Sequence, residues 1–131
     1  MAAYQYTNTK FGACADEWKL VDTKQKVLEP GYVHIKVVSA AFNLVDYKLA
    51  EYGAYWFGCT PTEEAPFIVG AEVTALKGGD DAYTRTPTDD FGAVVEYITV
   101  DAQFVDLTPK NLSFQDTACI SLAGLTSCQV R

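Results

Sequence analysis

The sequence predicts one mainly β domain carrying a few short helices, on three observations. From Tyr32 to Val38 apolar and polar residues alternate, with Val33, Ile35 and Val37 on one face and His34 and Lys36 on the other. The pattern returns over Gly92 to Val100, where Val94, Ile98 and Val100 share a face with Glu96 while Val95 and Tyr97 take the opposite one. Both faces of that second segment are rather apolar, as in a closed or packed sheet.

In chain order, Pro30-Gly31 is the turn that starts the first strand. Asn43 to Tyr52 reads as a short helix with Leu44, Val45, Leu49 and Tyr52 on one side. Gln103 to Leu107 can form a further short strand, after which Pro109, Asn111 and Ser113 announce a change of structure. Ser113 followed by Asp116 is a variant of the capping box, so a helix is expected from Phe114 to about Ala123, with Gly124 as its left-handed C-terminal cap. Leu125 to Arg131 looks like the start of another helix that stops after two turns at most, as in a chain broken from something longer. No internal repeat or low-complexity tract is present.

The 131 residues fit one domain and bury enough surface for a real core, roughly two-thirds of what the unfolded chain exposes. Hydrophobic residues at 49% and charged residues at 21% are the profile of a globular protein. Ten Lys and Arg against seventeen Asp and Glu give a net charge of -7 without a basic cluster, which argues against a nucleic-acid partner. The longest apolar stretch, Val37 to Val45, is far below the roughly 20 residues that cross a bilayer, and the polar N-terminus carries no readable secretory signal. A cytoplasmic location with no membrane contact is the expectation.

The dispersed Cys14, Cys59, Cys119 and Cys128 read as free thiols, since no pair is spaced for a metal cluster. His34, on the polar side of a strand beside Lys36, reads as structural. The pairs Glu63-Glu64, Asp80-Asp81 and Asp89-Asp90 read as solvated charge in loops. The nine glycines never fall as G-x-G-x-x-G or as a phosphate-binding loop.

Three stretches resemble a known family. Pro30-Gly31-Tyr32-Val33-His34-Ile35-Lys36-Val37, followed by Asn43-Leu44-Val45-Asp46-Tyr47-Lys48, is similar to "PGEVLIKV" leading to "NPVDYK" in the zinc-free quinone oxidoreductase and enoyl reductase branch of the medium-chain dehydrogenases. Pro66-Phe67-Ile68-Val69-Gly70-Ala71-Glu72-Val73 is close to "PFIPGADVAG". Phe91 to Val100, Asn111 to Phe114 and Leu122 to Thr126 resemble "GAFAEYVVV", "NLSFEEAA" and "LAGLTA" in the same order. The matches cover most of residues 28 to 131.

The resemblance implies a partly closed GroES-like β-barrel with short helices over residues 1–124, and in 125–131 the start of a connection to a coenzyme-binding domain. It implies no zinc, because Asn43 and Ala71 stand at the thiolate and imidazole positions of zinc-dependent relatives. It places Asn43, Asp46, Lys48 and Tyr55 in the catalytic cleft and Thr126 near the nicotinamide end of NADPH. Asn43 and Asp46 also suit a plain helix-capping role, and Tyr55, Trp56 and Phe57 a core role. The implied activity is reduction of a quinone, enone or enoyl substrate.

Two departures qualify it. Val73 runs straight into Thr74 to Asp80 where the family has an additional strand, so a barrel missing one strand and exposing an unpaired edge near Val73 is expected. No Rossmann motif is present, so the chain is expected to bind no NADPH and to be inactive alone, or else to be a non-catalytic remnant or interaction module. Leu122, Leu125 and Val130, beside that edge, are expected to favour self-association.

Overall fold

The computed structural model describes residues 2–6, 19–48, 52, 67–68, 70, 72–77, 80–86 and 92–130. Among the described residues there are eight strands: β1 (Ala2–Tyr6), β2 (Lys19–Asp22), β3 (Tyr32–Ala41), β4 (Phe67–Ile68), β5 (Glu72–Lys77), β6 (Asp80–Arg85), β7 (Tyr97–Asp101) and β8 (Val105–Leu107). They form two hydrogen-bonded sheets, one in the order β2-β1-β4 and one in the order β7-β3-β5-β6-β8. All pairings are antiparallel. The mainly β expectation holds. Among the described residues the sheets stay open and no closed barrel forms, because β7 and β8 each pair on one side only.

The larger sheet is organised by β3. Its entry turn is the expected one, with Tyr32 N donating to the Glu29 carbonyl at 3.0 Å and Gly31 at a positive φ of 89°, where a side chain is disfavoured. Ile35 is fully buried and Val33 and Val37 are half-buried, as the alternation requires. These residues pack with Ala93, Val95, Ile98, Val100, Val105 and Ala40 as one apolar cluster. The strand runs three residues past Val38, to Ala41, across an irregularity between Val37 and Ser39.

The second alternating segment is shorter than expected. Regular strand begins at Tyr97 rather than Gly92, preceded by an isolated bridge at Val95. Val95 joins the core with Ile98 and Val100, whereas Glu96, expected on their face, is exposed. The period of two breaks between Val95 and Tyr97 and carries the Glu96 carboxylate out of the apolar layer, where it would be costly. The Glu96 carbonyl meanwhile accepts from Val37 N at 2.9 Å.

No edge is left unpaired at Val73. β5 lies between β3 and β6, so Val73 pairs with Ala40 on one side and Thr84 on the other. β6 follows β5 in register from Lys77↔Asp80 and takes the side that the missing strand was expected to leave open. Asp80-Asp81 therefore begins a strand instead of sitting in a loop, and both residues remain exposed. Glu63-Glu64 and Asp89-Asp90 lie outside the described residues.

After β7 the chain makes a 3-10 turn, Ala102–Phe104, capped by Asp101, whose Oδ1 accepts from Gln103 N at 2.9 Å; β8 is thus confined to three residues. The single helix expected from Phe114 to Ala123 is two helices, Phe114–Ala118 and Ser121–Gln129. Its start is as expected: Asp116 N donates to Ser113 Oγ at 3.1 Å, and Ser113 Oγ donates to Asp116 Oδ2 at 2.6 Å. It stops because Cys119 N and Ile120 N reach back only three residues, to Asp116 and Thr117. Gly124 is not a C-terminal cap but an interior residue of the second helix without a positive φ. A Cβ there would lie 2.9 Å from Ile120 Cγ2, so the glycine serves close approach within the turn. The expected boundary between residues 124 and 125 falls inside this helix. Among the described residues no helix is long and apolar enough to cross a membrane.

The segment expected to be helical from Asn43 to Tyr52 is helical over 44–48 and at Tyr52, and residues 49–51, Leu49 among them, lie outside the described residues. Its buried member is Asp46; Leu44, expected on the apolar side, is 73% exposed.

Gly70 ties this region to the core. It is buried with φ 95°, and its carbonyl accepts from Gly92 N at 3.1 Å and Ala93 N at 3.0 Å. A Cβ at this position would meet Val94 Cγ2 at 2.9 Å and Ala93 Cβ at 3.1 Å. Gly70→Ala is therefore expected to lower the unfolding free energy by roughly 1–3 kcal/mol through backbone strain and overlap. Urea denaturation checks this, and an unchanged midpoint would count against it.

Candidate functional site

The irregular end of β3 delivers the chain into the helical turn at 44–48, and this turn carries three of the five expected site residues. Asn43 N donates to Asp46 Oδ2 at 2.7 Å, and Asp46 N donates to the Asn43 carbonyl at 3.0 Å. Asp46 thus closes the first turn as a reciprocal cap, its carboxylate reaching back to the residue before the helix.

Asp46 is only 1% exposed, so it is an internal group and not a surface ligand. Desolvation raises its pKa above the ordinary aspartate value; the backbone amides of Asn43, Gly70 and Asp46 itself oppose this and favour the ionised form. Oδ1 has no hydrogen-bond partner among the described residues, nor has the buried Nδ2 of Asn43. An acceptor and a donor are therefore both left over within one turn of chain, which is unusual for buried polar atoms.

Lys48 projects the other way and is exposed. Its Nζ lies 5.1 Å from the centroid of the Tyr47 ring and 4.9 Å from that of Tyr52, both within the range of a cation–π contact. The turn thus separates a buried carboxyl from an accessible cation, the second of which can stabilise negative charge growing on a bound oxygen.

Tyr55 and Ala71 lie outside the described residues. Thr126 sits exposed on the helix Ser121–Gln129, its Oγ1 donating to the Leu122 carbonyl at 2.8 Å. His34 is held within the sheet: its Nδ1 lies 2.8 Å from Thr99 Oγ1, its cross-strand partner, and 3.1 Å from Gln25 Nε2. Among the described residues, Cys119 and Cys128 are free, and no three His, Cys, Asp or Glu side chains gather as a metal site.

Two residues of the region are not marked by the sequence as parts of a site. Tyr52 stands there only as one side of an apolar helix face, although its spacing of four from Lys48 is that of neighbours on a helix. Gly70 stands there only as part of a family match; its positive φ has no signal in a single sequence.

The buried Asp46 carries a pH signature. Since its folded pKa is raised, the native state holds the proton more tightly than the unfolded one. Its contribution to stability is full below the unfolded value of about 3.9 and is lost as pH rises through the folded pKa. The stability difference between wild type and Asp46→Asn should accordingly shift in favour of wild type as pH falls from about 7 to about 4. Denaturant titrations of both proteins across that window check it; parallel pH profiles would refute it.

No family model matches the chain. Curated relatives do. The chain is 35% identical over 105 residues to the 2-methylene-furan-3-one reductase of Solanum lycopersicum and 33% identical over 105 residues to the chloroplastic NADPH-dependent alkenal/one oxidoreductase of Arabidopsis thaliana. Each match covers 70% of this chain and 27% of the relative, so the chain spans about a quarter of the length of those proteins. Among solved structures, the quinone oxidoreductase of Thermus thermophilus, described with its NADPH complex, superposes on 98% of the chain with a TM-score of 0.80 at 26% identity, and 39% of its own length is covered. The Escherichia coli quinone oxidoreductase complexed with NADPH shares the fold over 99% of the chain, with a TM-score of 0.80 at 16% identity and 40% of its own length covered. The antiparallel sheets and the turn bearing Asn43, Asp46 and Lys48 thus stand in a chain whose homologues and structural neighbours are quinone and alkenal oxidoreductases of the medium-chain dehydrogenase/reductase superfamily.

Proposed function

We propose that this chain is the substrate side of an NADPH-dependent oxidoreductase that reduces a conjugated carbonyl such as a quinone, enone or enoyl compound. The observation that carries the reading is the turn at the end of β3, which gathers Asn43, Asp46 and the accessible Lys48 in a relative of alkenal and furanone reductases. In this reading Lys48 faces the substrate oxygen and stabilises the charge it gains. Asn43 lines the same cleft. Asp46 keeps the turn closed from beneath, and Tyr55 and Thr126 complete the site from the substrate and cofactor sides.

NADPH, the cofactor named for these relatives, is a hydride donor. The residues present do not fit its dinucleotide: no G-x-G-x-x-G occurs in the sequence, and among the described residues the positive-φ glycines Gly31, Gly70 and Gly92 lie apart in the chain instead of forming one loop. The 131 residues by themselves are thus proposed to be inactive. The same missing motif is the observation that favours the second reading, a non-catalytic GroES-like remnant or interaction module.

Calorimetry of the chain with NADPH is expected to show negligible binding, and joining the chain to the remainder of the tomato reductase is expected to give NADPH consumption with an enone. Lys48→Ala should lower that rate by about 10²-fold. Stoichiometric micromolar NADPH binding by the chain alone, or a joined protein that is equally active with Lys48→Ala, would overturn the assignment.

For the isolated chain we further propose self-association through the C-terminal helix. Val130 is 82% exposed and Leu125 is 52% exposed, while Leu122 is half-buried. The net charge of -7 opposes it, but such repulsion is screened within about 8 Å at physiological salt. Sedimentation velocity should reveal dimers or larger species; a clean monomer across a range of protein concentrations would count against it.

A further inference from the structure

We propose that Tyr52 is a positioning residue for Lys48, clamping its ammonium between two aromatic faces together with Tyr47. The inference deepens the function proposed above, since a fixed cation is what polarisation of a substrate oxygen requires, but the clamp itself is read from this chain's own geometry. A lysine carries a flexible four-carbon stem and a strongly hydrated point charge, so an exposed one samples many rotamers. Lys48 is exposed, yet its Nζ sits 4.9 Å from the Tyr52 centroid and 5.1 Å from the Tyr47 centroid. Each distance lies inside the roughly 6 Å over which a ring face attracts a cation.

The two rings reach the ammonium from different places in the chain. Tyr47 precedes Lys48 within the helical turn at 44–48, whereas Tyr52 lies four residues beyond it. Two ring faces hold the ammonium more narrowly than one, and the second comes from a helical residue four positions further along. Both tyrosines stay partly open to solvent, at 43% and 39%, so the clamp leaves the ammonium within reach of a ligand. The attraction comes from the ring quadrupole and not from the phenol hydroxyl, so phenylalanine should replace Tyr52 and leucine should not.

The test uses the 131-residue chain with Tyr52→Leu and Tyr52→Phe, and neither readout needs NADPH or a substrate. In ¹H–¹³C spectra the ε-methylene of Lys48, assigned by its loss in Lys48→Arg, should lie upfield through the ring currents of both tyrosines. The shift should persist in Tyr52→Phe and fall by about half in Tyr52→Leu, where one of two rings is gone. Acetylation of Lys48 by acetic anhydride, followed by mass spectrometry, should run about two- to fivefold faster in Tyr52→Leu than in wild type, with Tyr52→Phe restoring the slow rate. Unchanged methyl signals of the core residue Ile35 report that each variant is folded. An ε-methylene at the random-coil position in wild type, or a shift and acetylation rate that Tyr52→Leu leaves unaltered, would overturn the clamp. A joined protein without reductase activity whose Lys48 still follows the expected pattern would refute the proposed function and leave the clamp standing.

Discussion

β3 is paired on both of its edges, and this double pairing sets the core and the candidate site alike. Its ten residues bond to β7 over Tyr32 to Lys36 and to β5 over Lys36 to Ala41, with the two sets of partners meeting near the irregularity at Val37 and Ser39. One strand therefore fixes the core through Ile35 and, at its far end, fixes where the turn at 44–48 begins. Were β3 to slip by one residue, Ile35 would leave the core and every side chain of the strand would change face. The position of Lys48 would move with it.

The turn is stabilised by a polar group placed where an apolar one would be easier to bury. Asp46 caps the turn through Asn43 N, and its burial sets desolvation against the amides that favour its charge. A buried cap of this kind gives the turn a defined starting residue, so that Tyr47 and Lys48 leave it in fixed directions. Gly70 contributes from the other side: its carbonyl holds the backbone of Gly92 and Ala93 against the core, and its amide lies among the groups that favour the Asp46 carboxylate. Core and candidate site share these contacts, so neither is independent of the other.

The relation to quinone and alkenal oxidoreductases is of fold and of short segments, over about a quarter of the curated relatives' length. The family segment "NPVDYK" and the present Asn43-Leu44-Val45-Asp46-Tyr47-Lys48 agree at the residues that build the turn: Asn43 begins it, Asp46 closes it and Lys48 leaves it as a cation. They differ at Leu44, which stands where the family has proline and is exposed here, so the exchange removes no buried contact. The shortened segment after Val73 is likewise absorbed by direct pairing of β5 with β6.

The local features follow from short stretches of sequence. The alternation around Ile35 specified β3, Pro30-Gly31 specified its entry, and Ser113 with Asp116 specified a helix start, because each rests on side chains within a few residues of one another. The spacing alone also puts Asn43, Asp46 and Lys48 within one turn of chain. Features that depend on distant partners came from long-range packing and pairing instead. It broke the alternation at Glu96 by pairing its carbonyl with Val37, closed the edge at Val73 with β6, and split the helix after Ala118. It also buried Asp46 while leaving Leu44 in solvent, a choice that hydropathy reads the wrong way round because burial is set by what packs above a residue and not by the residue alone.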